Sequence, residues 1–138
     1  LKPGGCLCLI DLDCNSLNHY ELSVSMASIL SKLMAALEEQ HNFDTYAGRK
    51  LYSYLYDQDF ENIEVELMAH HLIYGTARDA DVFNWLTKVR VIVEKMEGLF
   101  TEYPGGAEEF LREFERFFLD PRRFTYTPLI MCKGTRPG

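Results

Sequence analysis

Apolar residues recur along this chain with two periods, about two and about 3.6, and their alternation divides it into strands and helices. The run GCLCLID, Gly5 to Asp11, is continuously apolar between Pro3-Gly4-Gly5 and a polar stretch, the pattern of a parallel strand covered on both faces. Asn18 then stands in cap position with Glu21 three residues on, and Leu22, Met26, Ile29, Leu30, Leu33 and Leu37 follow at helical spacing to about Gln40. A shorter helix is expected from Asp44 or Thr45 to residues 57–59, with Ala47, Leu51, Tyr54 and Leu55 on one face. Ile63, Val65, Leu67 and Ala69 alternate with Glu64, Glu66, Met68 and His70, which predicts a strand with one wet face near a sheet edge.

Beyond Gly75, Asp79 or Asp81 can cap a helix striped by Val82, Leu86, Val89, Val93 and Met96 and ended by Gly98. The turn Glu102-Tyr103-Pro104-Gly105-Gly106 precedes a helix carrying Phe110, Leu111, Phe114, Phe117 and Phe118, which Asp120-Pro121 stops. Phe124 to Lys133 reads as a closing strand, with Pro128 marking a bulge or an unpaired amide position. Strand, helix, helix, strand, helix, helix, strand is an α/β order. Three strands make a thin sheet for four apolar helices, and the chain opens inside a turn leading straight into a strand. Both features are expected of a segment cut from a longer polypeptide.

The composition changes little in this picture. With 138 residues, 47% hydrophobic and 25% charged, one globular unit is the default. A net charge of -7 gives no electrostatic reason to approach a phosphate backbone or an anionic bilayer, so neither nucleic acid nor membrane is expected as a partner. Arg49-Lys50, Arg122-Arg123 and Lys133 to Arg136 read as solvated faces or tails. Cys6, Cys8, Cys14 and Cys132 fit free thiols in a reducing compartment, three of them in or just after a run expected to be buried. The Cys6-x-Cys8 spacing is not that of a structural zinc site, and no metal is expected. His70 and His71 are adjacent, so on a strand they should point to opposite faces.

Leu1-Lys2-Pro3-Gly4-Gly5 followed by CLCLIDLD resembles the segment leading into the fifth strand of class I S-adenosylmethionine-dependent methyltransferases. Ala47-Gly48-Arg49-Lys50-Leu51 through Phe60-Glu61-Asn62-Ile63-Glu64-Val65 is similar to that family's last helix and sixth strand. Phe124-Thr125-Tyr126 to Cys132-Lys133-Gly134 is similar to its seventh. The resemblance implies the carboxyl-terminal part of a methyltransferase domain over residues 1–138: a partial Rossmann-like sheet of the fifth, sixth and seventh strands, the last antiparallel between the other two, with about four helices. It implies a cytoplasmic enzyme that uses S-adenosylmethionine and methylates a small-molecule acceptor. The family's glycine-rich loop and ribose-holding acidic residue have no counterpart here. Pro104-Gly105-Gly106 follows a helix and lacks the Gly-x-Gly spacing, so this chain is expected to hold no cofactor-binding residues and to be inactive by itself.

On that resemblance, residues 12–45 and 75–123 are helical insertions beyond the carboxyl ends of the fifth and sixth strands, where open α/β sheets bind ligands. Asp11, Asp13, Asn15 and His19, with His71 and Tyr74, are then the candidate substrate-binding residues, and none is singled out as the catalytic base. Each also has a plain structural reading, as a turn cap, a helix lead-in or a core histidine. Trp85, Phe83 and the phenylalanines at 110, 114, 117 and 118 either line an acceptor pocket or form core. A rival reading is a non-catalytic interaction or dimerisation module. In it the stripes Leu22 to Leu37 and Val82 to Met96 are partner surfaces, and the first strand's edge pairs with a second chain. Self-association is expected in either case. A small metal- or redox-active protein built on Cys6, Cys8, Cys14 and the histidine pair ranks last.

Overall fold

A computed structural model describes residues 1–138. The elements follow in the order β1 (Cys6–Leu12), β2 (His19–Tyr20), α1 (Val24–His41), α2 (Ala47–Tyr56), β3 (Glu61–Tyr74), α3 (Asp79–Lys95), a 3-10 helix (Glu97–Glu102), α4 (Gly106–Leu119) and β4 (Phe124–Thr135). This is an α/β chain with five helices and a four-stranded antiparallel sheet. Strand β4 pairs with all three others: with β1 from Cys6↔Thr135 to Leu12↔Leu129, with β2 at His19↔Thr125 and Tyr20↔Phe124, and with β3. The chain divides into two compact units, residues 1–15, 44–71 and 126–138 in the first and 16–43 and 72–125 in the second.

In the first unit α2 lies on β1, and Leu51 and Leu55 pack with Cys132 against Leu7, Leu9, Phe60, Ile63 and Ile130. Gly48 permits this approach, because a Cβ there would stand 2.8 Å from the carbonyl oxygen of Leu12. Only one face of β1 is covered. Cys6, Cys8 and Ile10 are exposed, Ile10 by 57%, which corrects the expectation of a doubly covered parallel strand. An apolar run does not reveal how many of its faces are covered, and here the neighbour is antiparallel. The expected buried thiols are corrected with it. All four cysteines are free, but only Cys132 is buried; Cys6 and Cys8 are exposed and Cys14 lies between. Tyr54 is likewise exposed rather than in the α2 stripe.

In the second unit Met26, Ile29, Leu30, Leu33 and Met34 of α1 pack with Trp85, Val89 and Val93 of α3, Phe100, and Phe110, Phe114 and Phe118 of α4. The α1 and α3 stripes are therefore internal packing, and the reading of them as partner surfaces is corrected. Helix α1 starts later than Asn18 predicts. Ser23 is its cap, with Oγ accepting from the Met26 amide, because residues 19 and 20 are taken up by β2 while Glu21 pairs with Arg122 at 3.0 Å. Neither Asp79 nor Asp81 caps α3: both sit in its first turn, where carboxylates favour the helix dipole, and Asp81 accepts from Arg78 at 2.7 Å. Helix α2 begins at Ala47, with the Asp44 carboxylate accepting from the Tyr46 amide. Helix α3 ends at Lys95, close to where Gly98 is expected to end it, and the 3-10 helix follows through Gly98 to Glu102.

No helix is long and apolar enough to cross a membrane.

Candidate functional site

Two polar constellations stand out, one in each unit. In the first unit the Asp13 carboxylate, 7% exposed, accepts from Arg49 Nε at 2.9 Å and Nη2 at 2.7 Å, and from the Arg49 amide at 3.3 Å. These bonds hold Asp13 below the usual carboxylate range, against the opposing effect of burial. Arg49 Nη2 also lies 3.0 Å from Cys14 Sγ, and its guanidinium stacks 4.5 Å from the Tyr46 ring centre. A fork held this way orients the turn after β1; it presents no free carboxylate for chemistry.

The second unit carries the richer cluster. His19 enters it because β2 pairs with the start of β4, placing the ring beside Thr125, with Nδ1 2.9 Å from Thr125 Oγ1. Trp85, Phe117 and Phe114 meet the imidazole edge-on, at centroid distances of 5.2, 5.6 and 6.0 Å. Its Nε2 is buried with no hydrogen-bond partner. Burial, together with the charges of Lys88 and Arg123, pushes His19 down to about 4, so it is neutral at physiological pH.

Lys88 comes one turn after Trp85 on α3. Its Nζ donates to Ser16 Oγ at 2.7 Å and lies 4.6 Å from the Trp85 ring centre. Burial lowers the ammonium to about 8. Ser16 is 8% exposed and holds a left-handed backbone, φ 66°. Arg123, 2% exposed, donates Nε to Phe118 O at 2.8 Å and Nη2 to Gly75 O at 3.0 Å, with the guanidinium 4.9 Å from the Phe118 ring centre and Nη1 unpartnered. Burial lowers its pKa as well. This overturns the reading of Arg122-Arg123 as a solvated pair: only Arg122 faces solvent, and Arg123 ties the end of α4 to Gly75.

The six expected substrate-binding residues do not converge. Asp11 is exposed and accepts from the adjacent Leu12 amide; Asp13 is engaged by Arg49; Asn15 is half-buried. His71 is half-buried with its ring 4.2 Å from that of His70, so the two neighbours do not diverge to opposite faces as expected; an exposed His70 leans over its neighbour. No group of three potential ligands is placed to hold a metal ion. Tyr74 is 68% exposed. Of the six, Asp13 belongs to the first constellation and His19 to the second, where the core residues Trp85 and Phe114, with Phe117, surround its ring. Sequence reasoning missed Ser16, Lys88, Arg123 and Thr125. The available signal was a lysine inside the α3 stripe, three residues after a tryptophan and next to Val89.

Compared with known proteins, the sequence matches no protein-family model and no curated protein.

Proposed function

We propose that the chain carries the acceptor side of a cytoplasmic S-adenosylmethionine-dependent methyltransferase whose substrate is a small molecule. The observation that carries this reading is the place of β4, paired antiparallel with β1 along its last seven residues and paired also with β3. That is the arrangement the resemblance implies for the seventh strand of a partial Rossmann-like sheet. Gly4 with φ 75° in the Pro-Gly-Gly turn, and four free cysteines suited to a reducing compartment, support it further. Residues 16–43 and 72–125 supply an aromatic, largely apolar environment around Lys88 and His19, suited to selecting an acceptor and keeping water from a reactive sulfonium. The cofactor-binding loop has no counterpart in residues 1–138, so these residues alone are expected to be inactive.

The test is calorimetric titration of S-adenosylhomocysteine into residues 1–138 and into the product of the whole coding sequence. Binding by the latter only is expected. Tight binding by residues 1–138 would move the cofactor site into this chain, and silence from both would remove the reading.

A second reading rests on the open face of β1. Cys6, Cys8 and Ile10 are exposed and register with Thr135, Lys133 and Met131, a mixed surface suited to an interaction or dimerisation module. Sedimentation equilibrium decides it: self-association that Ile10→Lys abolishes supports this reading, and a monomer across the concentration range removes it.

A further inference from the structure

Helix α3 carries a second stripe beside its buried one. Asp79, Val82, Phe83, Leu86, Thr87 and Arg90 recur at steps of three and four residues, so they share one face, about three turns long. Trp85, Val89 and Val93 point into the core of the second unit, and Val82 and Leu86 stand half-buried at the border between the two faces. Phe83 is 70% exposed and takes no part in that core. Next to the stripe, Leu86 and Val89 of α3 and Leu111 and Phe114 of α4 line an open dent of about 150 Å³. A cavity of that size with walls of Leu, Ile and Phe accepts benzene, so the dent fits a phenyl ring.

The stripe is complementary to itself. It is symmetric about the point midway between Asn84 and Trp85, so a second α3 laid antiparallel across it sets Phe83 opposite Leu86, Val82 opposite Thr87 and Asp79 opposite Arg90, each pair occurring twice. The two ends carry opposite charges, and neither Asp79 nor Arg90 has an ion-pair partner in its own chain. Every other arginine is held by a carboxylate or a main-chain carbonyl. We propose that a second copy of this chain docks here, α3 on α3 about a two-fold axis, with Phe83 of each copy seated in the other's dent and Asp79–Arg90 pairs closing both ends. Charge selects the antiparallel arrangement, because a parallel copy would set Asp79 against Asp79 and Arg90 against Arg90. One helix face makes a small contact, at the weak end of interfaces below about 1,200 Å², so the dimer should form at micromolar concentrations and above. The surface belongs to the second unit, whereas β1 belongs to the first, and the proposal does not depend on the methyltransferase reading.

Sedimentation equilibrium of the chain from micromolar to millimolar concentration tests it. Wild type should pass reversibly from monomer to dimer, Phe83→Glu should stay monomeric, and Ile10→Lys should dimerise as wild type does. Asp79→Arg and Arg90→Asp each set like charges against one another at both ends, and each should weaken the dimer about tenfold. Mixed in equal amounts, these two variants should form a heterodimer of wild-type strength, because every end again joins an arginine to an aspartate. A misfolded variant would give no such rescue. Wild type that stays monomeric throughout, Phe83→Glu that dimerises as wild type does, or a mixture no tighter than the single variants overturns the proposal. Association abolished by Ile10→Lys and untouched by Phe83→Glu also overturns it, by assigning the contact to β1.

Discussion

Arg49 grips Asp13 with Nε and Nη2 together, at 2.9 and 2.7 Å, thirty-six positions away in sequence. The pair joins the turn after β1 to the first turn of α2, so it contributes to order within the first unit. Asp13 is depressed below its ordinary value of 3.8 by the hydrogen bond to Arg49. Its contribution to stability is therefore present above that ordinary value and lost as pH falls through the lower folded value. Asp13→Asn should lower the urea midpoint at pH 7, and its difference from wild type should shrink as pH falls below 3.8 and wild type loses the same charge. A difference that stays constant as pH falls would mean that the charge is not what matters.

Gly48→Ala tests the close approach of α2 to β1. The added methyl would meet the Leu12 carbonyl at 2.8 Å, and main chain must move to admit it, at a cost of about 1–3 kcal/mol. Alanine elsewhere on a helix would be favourable by up to about 1 kcal/mol. The sign of the change in urea unfolding therefore decides whether the contact is as tight as described.

Phe110 has no exposed surface and packs against Phe100 and Tyr103 at centroid distances of 4.8 and 5.3 Å. Phe110→Ala should cost about 3–5 kcal/mol, while Phe110→Leu, which keeps most of the volume, should cost about half as much or less. Thermal unfolding of both variants measures the ratio, and a loss below about 1 kcal/mol for alanine would place Phe110 outside the core.

His19 gives the protein an acid sensitivity. Its folded value, about 4, lies below the ordinary 6.5, so the unfolded chain binds the proton more readily. The stability it contributes is complete above 6.5 and declines as pH falls toward 4, by up to about 3 kcal/mol over that window. His19→Gln should flatten the urea midpoint between pH 7 and pH 4 relative to wild type. An unchanged slope would assign the acid sensitivity to other groups.

Thiol reactivity reads burial directly. Cys6 and Cys8 should be modified by a colorimetric disulfide reagent in the native state, and Cys132, with no exposed surface and a pKa raised by burial, only after unfolding. Modification of Cys132 at the rate of Cys8 would contradict the packing of α2 on the sheet.

The helices were the most legible part of the sequence, because periodic residues such as Met26, Ile29 and Leu33 report burial in proportion to their spacing. The strands were legible as segments but not in their surroundings. Ile10 and Leu9 look alike in a run of apolar letters, and only the placement of α2 decides that Leu9 is packed while Ile10 is open. The start of α1 was misplaced because Asn18 satisfies a local capping rule that the pairing of His19 with Thr125 overrides. The candidate site was legible at His19 and at the aromatic residues Trp85, Phe114 and Phe117 around it, but not at its other polar members. Ser16, Lys88 and Arg123 are common surface residue types, and what distinguishes them is tertiary: a hydroxyl 2.7 Å from Nζ and a guanidinium at 2% exposure.

The pairing of Cys6 with Thr135 has a consequence for synthesis. A ribosome makes β1 long before β4, so β1 waits without its pairing partner through the translation of everything between them. The helices of residues 16–43 and 72–119 have their packing partners available earlier, and the slow, non-local closure of the sheet comes last. A nascent chain stalled before Phe124 should therefore leave open the edge of β1 that β4 later covers, and synthesis of β4 should close it.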